Sequence, residues 1–179
     1  MRLFGQQSYT AVSMRDIAKA VGVLPGSLYA HINSKEQLLF DIVDAGVTDF
    51  LNSVEPFATL EAPPEVRMRG AIKAHVAEVA ANPERSLVVF HQWRYLGPKA
   101  LADAMEKRRQ YERIFLAILD DGIVDGTFES TISKRVAMLA ILGALNWVPE
   151  WYSPKGPASP EMLGEMMADT LLGGIIAKR

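Results

Sequence analysis

The feature that most restricts the fold of this chain is a pair of helix signals placed around one glycine near the N-terminus. Ser13 stands three residues before Asp16, so its hydroxyl can cap a helix while the carboxylate bonds back to the cap amide. Gly22 can adopt the left-handed conformation that ends a helix, and Pro25 suits the first turn of the next one. This spacing predicts two short helices joined by a tight turn.

Apolar residues recur at helical spacing on both sides of that turn, so the two helices can share one buried seam. The seam residues are Ile17, Ala18, Val21, Leu28 and Ile32. We predict helices over residues 14–21 and 25–31, with a third starting at Ser34, where the serine and glutamine spacing repeats the first cap. The second helix is too short to be stable alone, so packing must hold it while its outer face stays free. The unit is a helix-turn-helix.

The outer face of the second helix and the flanking helix starts carry small and hydrogen-bonding residues. Small residues let the backbone approach DNA, tyrosine and histidine can donate to phosphates, and helix-start amides can bind them. The candidate DNA contacts are Ser13, Met14, Pro25, Gly26, Ser27, Tyr29, His31 and Lys35. The chain has a net charge of −2, yet residues 1–35 hold four basic side chains against one acidic, which favours an anionic partner at this end.

The rest of the chain also reads as helical, because apolar residues lie three and four apart rather than alternating. Glycine and proline clusters separate the segments. The further helices are predicted over residues 34–58, 64–81, 84–96, 98–122, 131–152 and 160–177. The fold class that follows is all-α.

Residues 13–39 closely resemble the DNA-binding signature of the TetR family of bacterial transcriptional regulators, G-x-x-x-G-x-[LI]-Y-x-[HY]-[FI]-x-[SN]-K-E-x-L. The matching positions are Gly22, Gly26, Leu28, Tyr29, His31, Ile32, Ser34, Lys35, Glu36 and Leu38. The resemblance implies a DNA-binding domain at residues 1–43, with a first helix that is truncated relative to the family, and a helical ligand-binding and dimerisation domain at residues 44–179. It also implies a repressor that binds palindromic operator DNA as a dimer.

Two C-terminal segments are apolar over more of their surface than one small chain can bury. Residues 136–148 are apolar around most of the helix, and residues 160–176 carry a broad apolar stripe. A two-fold partner would cover both, as two helices from each subunit. The predicted interface residues are Leu139, Leu142, Trp147, Met162, Met166, Leu171 and Ile175.

Aromatic residues with a few polar groups indicate a mostly apolar ligand pocket. Its candidates are Phe90, His91, Trp93, Arg94, Tyr111, Phe115, Asn146, Trp147 and Trp151. Residues 108–128 and 143–175 resemble, more loosely, the branch of the family that senses acyl-CoA thioesters. Such an effector would need cations for its phosphates, and the sequence leaves the choice open among Arg67, Arg69, Arg94, Arg108, Arg109 and Arg113.

Other functions find less support in the sequence. It contains no G-x-S-x-G, glycine-rich phosphate loop, H-E-x-x-H or cysteine, so we expect no catalytic residue, metal or cofactor. No apolar run is long enough to span a bilayer and no signal peptide precedes residue 10, which leads us to expect a cytoplasmic protein without a membrane partner. Two alternatives stay open: a helical ligand-binding protein without DNA binding, and a regulator that senses a neutral drug-like compound.

Overall fold

A computed structural model describes residues 2–176, and they form helices joined by short turns, with no β-strand in that range beyond one isolated bridge. The prediction of an all-α fold is confirmed. The α-helices are α1 Arg2–Gln6, α2 Met14–Val21, α3 Pro25–Tyr29, α4 Lys35–Val54, α5 Pro64–Ala81, α6 Pro83–His91, α7 Pro98–Val124, α8 Lys134–Trp151 and α9 Pro160–Leu172. Short 3-10 turns cover Tyr9–Ala11, Glu55–Phe57 and Trp93–Tyr95.

The predicted bounds hold for α2 and α5. α3 ends two residues before the predicted residue 31, α7 ends two residues after the predicted residue 122, and α8 begins three residues after the predicted residue 131 and ends one residue before the predicted residue 152. The other differences occur where the chain tightens into a 3-10 turn or meets glycines. α4 ends at Val54 because Pro56 has no N–H to continue the ladder. α6 ends at His91, and the predicted continuation to residue 96 is a 3-10 turn instead. α9 ends at Leu172, before two consecutive glycines, whereas we predicted residue 177, which lies outside the described residues.

Two hydrophobic clusters organise the molecule. The first joins the N-terminal head, which comprises α1, α2, α3 and the start of α4, to α6 and α7 of the remaining body. It contains Phe4, Val12, Ile17, Ala18, Leu28, Leu39, Val43, Val88, Leu96 and Ala104. The second, in the body, is built from α4, α5, α7, α8 and α9 and includes Phe50, Phe115, Ile118, Leu119 and Leu145. Val47 packs against both clusters, so α4 runs without a break from the head into the body. The domain boundary predicted at residue 43 lies inside this continuous helix, and it stays a prediction.

Helix α9 lies tightly along α5. A Cβ at Gly164 would lie 3.2 Å from the Lys73 Cα, so any other residue here would have to separate the two helices by a few tenths of an ångström. Ion pairs flank the contact: Arg69 pairs with Asp169 at 2.6 Å, and Lys73 pairs with Glu165 at 2.6 Å. The opposite side of α9 is thereby left on the surface. Within residues 2–176, none of the helices is both long and apolar enough to cross a membrane.

Candidate functional site: a reading surface and a central cavity

The helix-turn-helix forms through the local signals seen in the sequence. The Ser13 hydroxyl accepts from the Asp16 N–H at 3.2 Å, and the Ser13 N–H donates to the Asp16 carboxylate at 2.9 Å. Gly22 adopts φ 73° and ends α2, and Pro25 occupies the first turn of α3. These contacts place α3 across α2 and turn Leu28 into the head cluster.

The side of α3 away from Leu28 is exposed, and we call it the reading surface. It consists of Gly26, Ser27, Tyr29, Ala30 and His31. Tyr29 is 56% exposed, which is high for a tyrosine and leaves its hydroxyl accessible. Ser13 and Pro25 are also exposed, and Met14 is half-buried. Neither the hydroxyl nor the N–H of Ser13 is free for a phosphate, since both donate to the Asp16 carboxylate, at 2.6 Å and 2.9 Å.

Lys35 has a different environment from the one expected of a simple phosphate contact. Its ammonium donates to the backbone carbonyls of Tyr9 at 3.0 Å and Val12 at 2.9 Å, and it lies 4.2 Å from the centre of the Tyr9 ring. Two carbonyls and an aromatic face together satisfy a buried or half-buried cation. Lys35 therefore fixes the segment that precedes α2 against the start of α4.

Tyr9 also joins the head to the body. Its N–H donates to the Gln92 side-chain oxygen at 3.1 Å, and its ring stacks on Tyr95 with centroids 5.4 Å apart. Gln92 and Tyr95 belong to the junction segment, residues 90–95, which contains the end of α6 and the following 3-10 turn. The junction segment is thus in direct contact with the head.

The body encloses a central cavity of about 270 Å³. Its walls come from α4, α5, α6, α7, α8 and Trp93 of the junction segment. The lining residues are Val43, Val47, Phe50, His75, Val89, Phe90, His91, Trp93, Ala104, Met105, Arg108, Tyr111, Glu112, Leu142, Gly143, Asn146 and Trp147. The composition is mostly apolar and aromatic with a few polar groups, as small-molecule sites usually are.

The structure brings most of the predicted pocket residues together around this cavity. Phe90, His91, Trp93, Tyr111, Asn146 and Trp147 line it. Three predicted residues lie elsewhere. Phe115 is fully buried one turn beyond Tyr111, Arg94 is exposed on the junction segment, and Trp151 is half exposed at the end of α8. Phe115 and Trp151 each lie one turn beyond a lining residue on the same helix face, past the end of the cavity, whereas Arg94 follows Trp93 in the 3-10 turn.

The buried end of the cavity holds a polar pair. His75 Nδ1 and the Tyr111 hydroxyl are 2.6 Å apart, with the His75 ring lying parallel to Phe90 and tilted against Phe50. Burial lowers the pKa of His75 to about 3, an effect offset only in part by the Leu145 backbone. Burial also raises the pKa of Tyr111 well above its ordinary value. Both groups are therefore neutral at physiological pH.

The solvent side of the cavity carries one balanced charge pair. Arg108 lies 3.2 Å from Glu112, and its guanidinium stacks over the Trp93 ring at 5.7 Å. The other candidate arginines differ. Arg67 is buried and pairs with Asp121 at 2.6 Å, and Arg69 pairs with α9. Arg109 and Arg113 pair with Glu106 on the exposed side of α7, and Arg94 is exposed outside the lining.

The predicted dimer residues divide into two groups. Leu139, Trp147, Met162 and Met166 are exposed, at 50%, 57%, 57% and 59%. Leu142 and Ile175 differ from the prediction, because they are only 6% and 8% exposed and belong to the core of their own chain. Leu171 is half-buried against the same core. We define the apolar flank as Val136, Leu139, Trp147, Trp151, Met162 and Met166, all at least half exposed.

Sequence reasoning missed His75 as a cavity residue, although a signal was present. In α5, residues 68, 72, 76 and 79 form the buried stripe, and position 75 falls within it. A histidine on such a stripe needs a polar partner, which Tyr111 supplies from α7. Glu112 and Met105 were missed as well, since nothing local distinguishes them from ordinary helix residues.

No cluster of three or more histidine, cysteine, aspartate or glutamate side chains suited to a metal occurs within residues 2–176. The molecule is a helix-turn-helix head on a helical body that contains a ligand-sized cavity, which is the architecture of a ligand-responsive DNA-binding regulator.

Comparison with known proteins agrees with this class. Residues 1–42 match the model of "Bacterial regulatory proteins, tetR family", and residues 61–175 match "Tetracyclin repressor-like, C-terminal domain". The chain therefore belongs to the TetR family, and it is a transcriptional regulator rather than an enzyme.

Among its relatives is the HTH-type transcriptional repressor KstR2 of Mycolicibacterium smegmatis, 26% identical over 97% of this chain and 85% of that protein. The solved structure of the ketosteroid transcriptional regulator KstR2 of Mycobacterium tuberculosis has the same fold, with a TM-score of 0.91, 22% identity, and coverage of 98% and 90% of the two chains. AibR, solved with isovaleryl coenzyme A and operator DNA, gives a TM-score of 0.82 at 24% identity, covering 94% and 91%.

Proposed function

We propose that this regulator is a repressor that binds palindromic operator DNA as a homodimer in the cytoplasm and releases it when a lipophilic effector enters the central cavity. One observation carries the proposal. Helix α4 begins with Lys35, which holds the segment that leads into the helix-turn-helix, and continues as Val43, Val47 and Phe50, which line the cavity. A ligand that moves this wall of the cavity must move the helix that supports the head.

The junction segment offers a second route between the two sites. Phe90, His91 and Trp93 line the cavity, while Gln92 and Tyr95, between and beside them, hold Tyr9 of the head. A ligand that fits best when the head is displaced lowers operator affinity by the same factor by which the operator lowers ligand affinity.

A second copy of the chain is the proposed occupant of the apolar flank. Six large apolar side chains on α8 and α9 remain on the surface, more than a small protein usually leaves together. Two helices from each copy would pack as a four-helix bundle about a two-fold axis. Such a dimer would present two reading surfaces to successive major grooves about 34 Å apart, which corresponds to a palindromic operator.

The proposed effector is an acyl-CoA or a related lipophilic acid. The apolar lining suits the acyl part, and Arg108 on the solvent side suits a phosphate or carboxylate. AibR, a protein of the same fold, binds isovaleryl coenzyme A. A neutral drug-like effector is the second candidate. Glu112 favours a neutral compound, because its carboxylate already pairs with Arg108 and an anionic effector would have to displace that carboxylate.

Fluorescence anisotropy with a DNA sequence selected from a random pool tests the proposal. Acyl-CoAs of increasing chain length, the matching free acids and uncharged hydrophobes are titrated into the protein–DNA complex. We expect release by acyl-CoAs, with affinity increasing by about 0.8 kcal/mol for each CH₂ buried. Failure to select any DNA would instead support a ligand-binding protein without DNA binding.

Paired arginine variants separate the two effector classes. Arg108→Gln removes the cation beside the cavity, and Arg109→Gln, one residue further along α7 but outside the lining, is the matched control. For an acyl-CoA we expect about tenfold weaker release with Arg108→Gln and little change with the control. If the effector releases DNA equally well from both variants, the cation is not needed, and the effector is the neutral compound.

Sedimentation tests the dimer. Met166→Glu places a carboxylate in the apolar flank twice, once from each copy, and should give monomers. Val124→Glu, at an 88% exposed position at the end of α7, is the matched control and should not change the mass. A stable Met166→Glu dimer would move the interface away from α9.

A further inference from the structure

The turn between α2 and α3 exposes three apolar side chains beside the reading surface. Val21, Val23 and Leu24 are 61%, 41% and 76% exposed. Single exposed apolar residues are common on protein surfaces, but three within four consecutive residues form a patch of the kind that marks a contact. Leu24 is the most exposed of the three and lies outside both hydrophobic clusters of the described residues, so packing within the chain does not explain it.

Helix capping does not explain Leu24 either. It occupies the cap position of α3, where serine, threonine, aspartate and asparagine are preferred because a side-chain oxygen can accept from an unpaired helix N–H. The Leu24 side chain makes no such hydrogen bond, whereas Ser13 and Ser34 cap the two neighbouring helices. Leu24 thus stabilises neither the core nor the helix start, and its apolar side chain is available to a partner outside the chain.

The position of Leu24 relates it to the base edges in the DNA major groove. A helix-turn-helix places the first residues of its second helix against those edges. Residues 22–32 contain no arginine, lysine, asparagine, glutamine, aspartate or glutamate, the side chains that read guanine, adenine or cytosine by hydrogen bonds. Ser27 and His31 can form hydrogen bonds, but the feature that an apolar side chain distinguishes in this groove is the C5 methyl group of thymine.

We propose that Leu24 is a specificity-determining residue that contacts the C5 methyl group of one thymine in each operator half-site. This inference rests on the proposed function, since it requires binding to a specific palindromic operator. Bringing the leucine and the methyl group together removes apolar surface of both from water, which favours the base pair that carries the methyl group. The contact involves no phosphate, so it adds specificity without adding to the salt dependence of binding.

Replacing thymine by deoxyuridine in the selected operator tests the contact, because the replacement removes the methyl group and keeps the base pairing. Each thymine of the half-site is replaced in turn, and fluorescence anisotropy measures the affinity of the wild-type protein. We expect one replacement to weaken binding by about fourfold, and by about fifteenfold when it is made in both half-sites. If no replacement weakens binding, Leu24 contacts no thymine methyl group and the inference is wrong.

Variants at position 24 then assign the effect to the leucine. Leu24→Ser supplies a preferred cap, so the head should keep an equal or higher melting temperature, and the variant should bind the thymine and deoxyuridine operators alike. Leu24→Met keeps an apolar side chain and should keep most of the preference for thymine. Val21→Thr, at another exposed apolar position of the same turn, is the matched control and should keep the full preference. A thymine preference retained by Leu24→Ser would show that another residue contacts the methyl group, and would overturn the inference.

Cytosine and 5-methylcytosine provide a second comparison that differs by the same methyl group. Placed at the position of the critical thymine, the methylated base should give about fourfold tighter binding than cytosine. The wild-type protein suffices for this measurement, so it does not depend on the stability of any variant, and equal affinities would contradict the contact. Failure to select DNA of any sequence would reject the proposed function as well, whereas a selected operator without methyl dependence would reject this inference alone.

Discussion

The reading surface and the central cavity place function at opposite extremes of burial. The reading surface consists of small and polar residues on the five-residue helix α3 and in the turn that follows it, exposed to solvent and attached through Leu28. The cavity is enclosed by six structural elements, and its polar pair lies in the core. Changes on the reading surface should therefore alter function at little cost in stability, whereas changes in the cavity should alter both.

Lys35 should be the clearest exception to this separation of function from stability, because it is a predicted DNA contact whose ammonium also bonds within the head. Lys35→Ala removes two charge-assisted hydrogen bonds and an aromatic contact, so we expect about 2–4 kcal/mol of lost head stability together with lost operator affinity. Hydrogen exchange of α2 and α3 amides measures the first effect, and anisotropy measures the second. The control is Lys19→Ala, at an exposed site in the last turn of α2. If hydrogen exchange of these amides is unchanged in Lys35→Ala, Lys35 contributes only a phosphate contact.

The cavity should make stability depend on pH through His75. The unfolded histidine titrates near 6.5 and the folded one at about 3, so between these values only the unfolded chain takes up the proton. The free energy of unfolding should then fall as the pH decreases below about 6.5, by up to about 1.4 kcal/mol per pH unit, until about pH 3. Denaturant titrations between pH 7 and 4.5 measure this slope.

His75→Leu should remove that part of the slope, whereas His31→Gln, on the exposed reading surface, should leave it intact. A His75→Leu slope identical to that of the wild type would mean that the buried histidine does not stay neutral.

The connection between the two regions should respond to Gln92. Gln92→Ala removes the hydrogen bond from the Tyr9 N–H, worth about 1 kcal/mol. We expect the effector to lower operator affinity by about fivefold less in this variant, with effector binding itself little changed. The control is Gln110→Ala, at an exposed position of α7 outside the cavity lining. Full release by Gln92→Ala would assign the coupling to α4 alone.

The two regions also differ in how far the sequence predicts them. The caps at Ser13 and Ser34, the left-handed Gly22 and the first-turn Pro25 act over three or four residues, so the helix-turn-helix could be predicted with its bounds, except that α3 ends at Tyr29 rather than residue 31. The long-range contacts of the same head could not. Lys35 was predicted to face DNA, and only the fold shows that Tyr9 and Val12 surround its ammonium.

In the body, the aromatic composition indicated a pocket, but which helix faces border it, and how far along each face it extends, depend on packing. Phe115 and Tyr111 lie one turn apart on α7, yet only Tyr111 lines the cavity. The same reason applies to Leu142, which was assigned to the dimer surface and is buried, because the helix α8 is apolar on nearly every side and its pattern does not mark the outer one. Partners such as His75 and Tyr111 stand 36 residues apart and meet only through the fold.

The smallest expected effect is on the reading surface itself. Tyr29→Phe removes one hydroxyl from a side chain that is 56% exposed, so the melting temperature should stay unchanged. If the hydroxyl donates to a phosphate, operator affinity should fall by about 3- to 5-fold for specific and unrelated DNA alike, because phosphates carry no sequence information. The salt dependence should stay the same, since a neutral donor releases no counterion. A loss of affinity for the specific operator alone would show that Tyr29 contacts a base. A lower melting temperature would show that even an exposed residue of the head contributes to stability as well as to DNA binding.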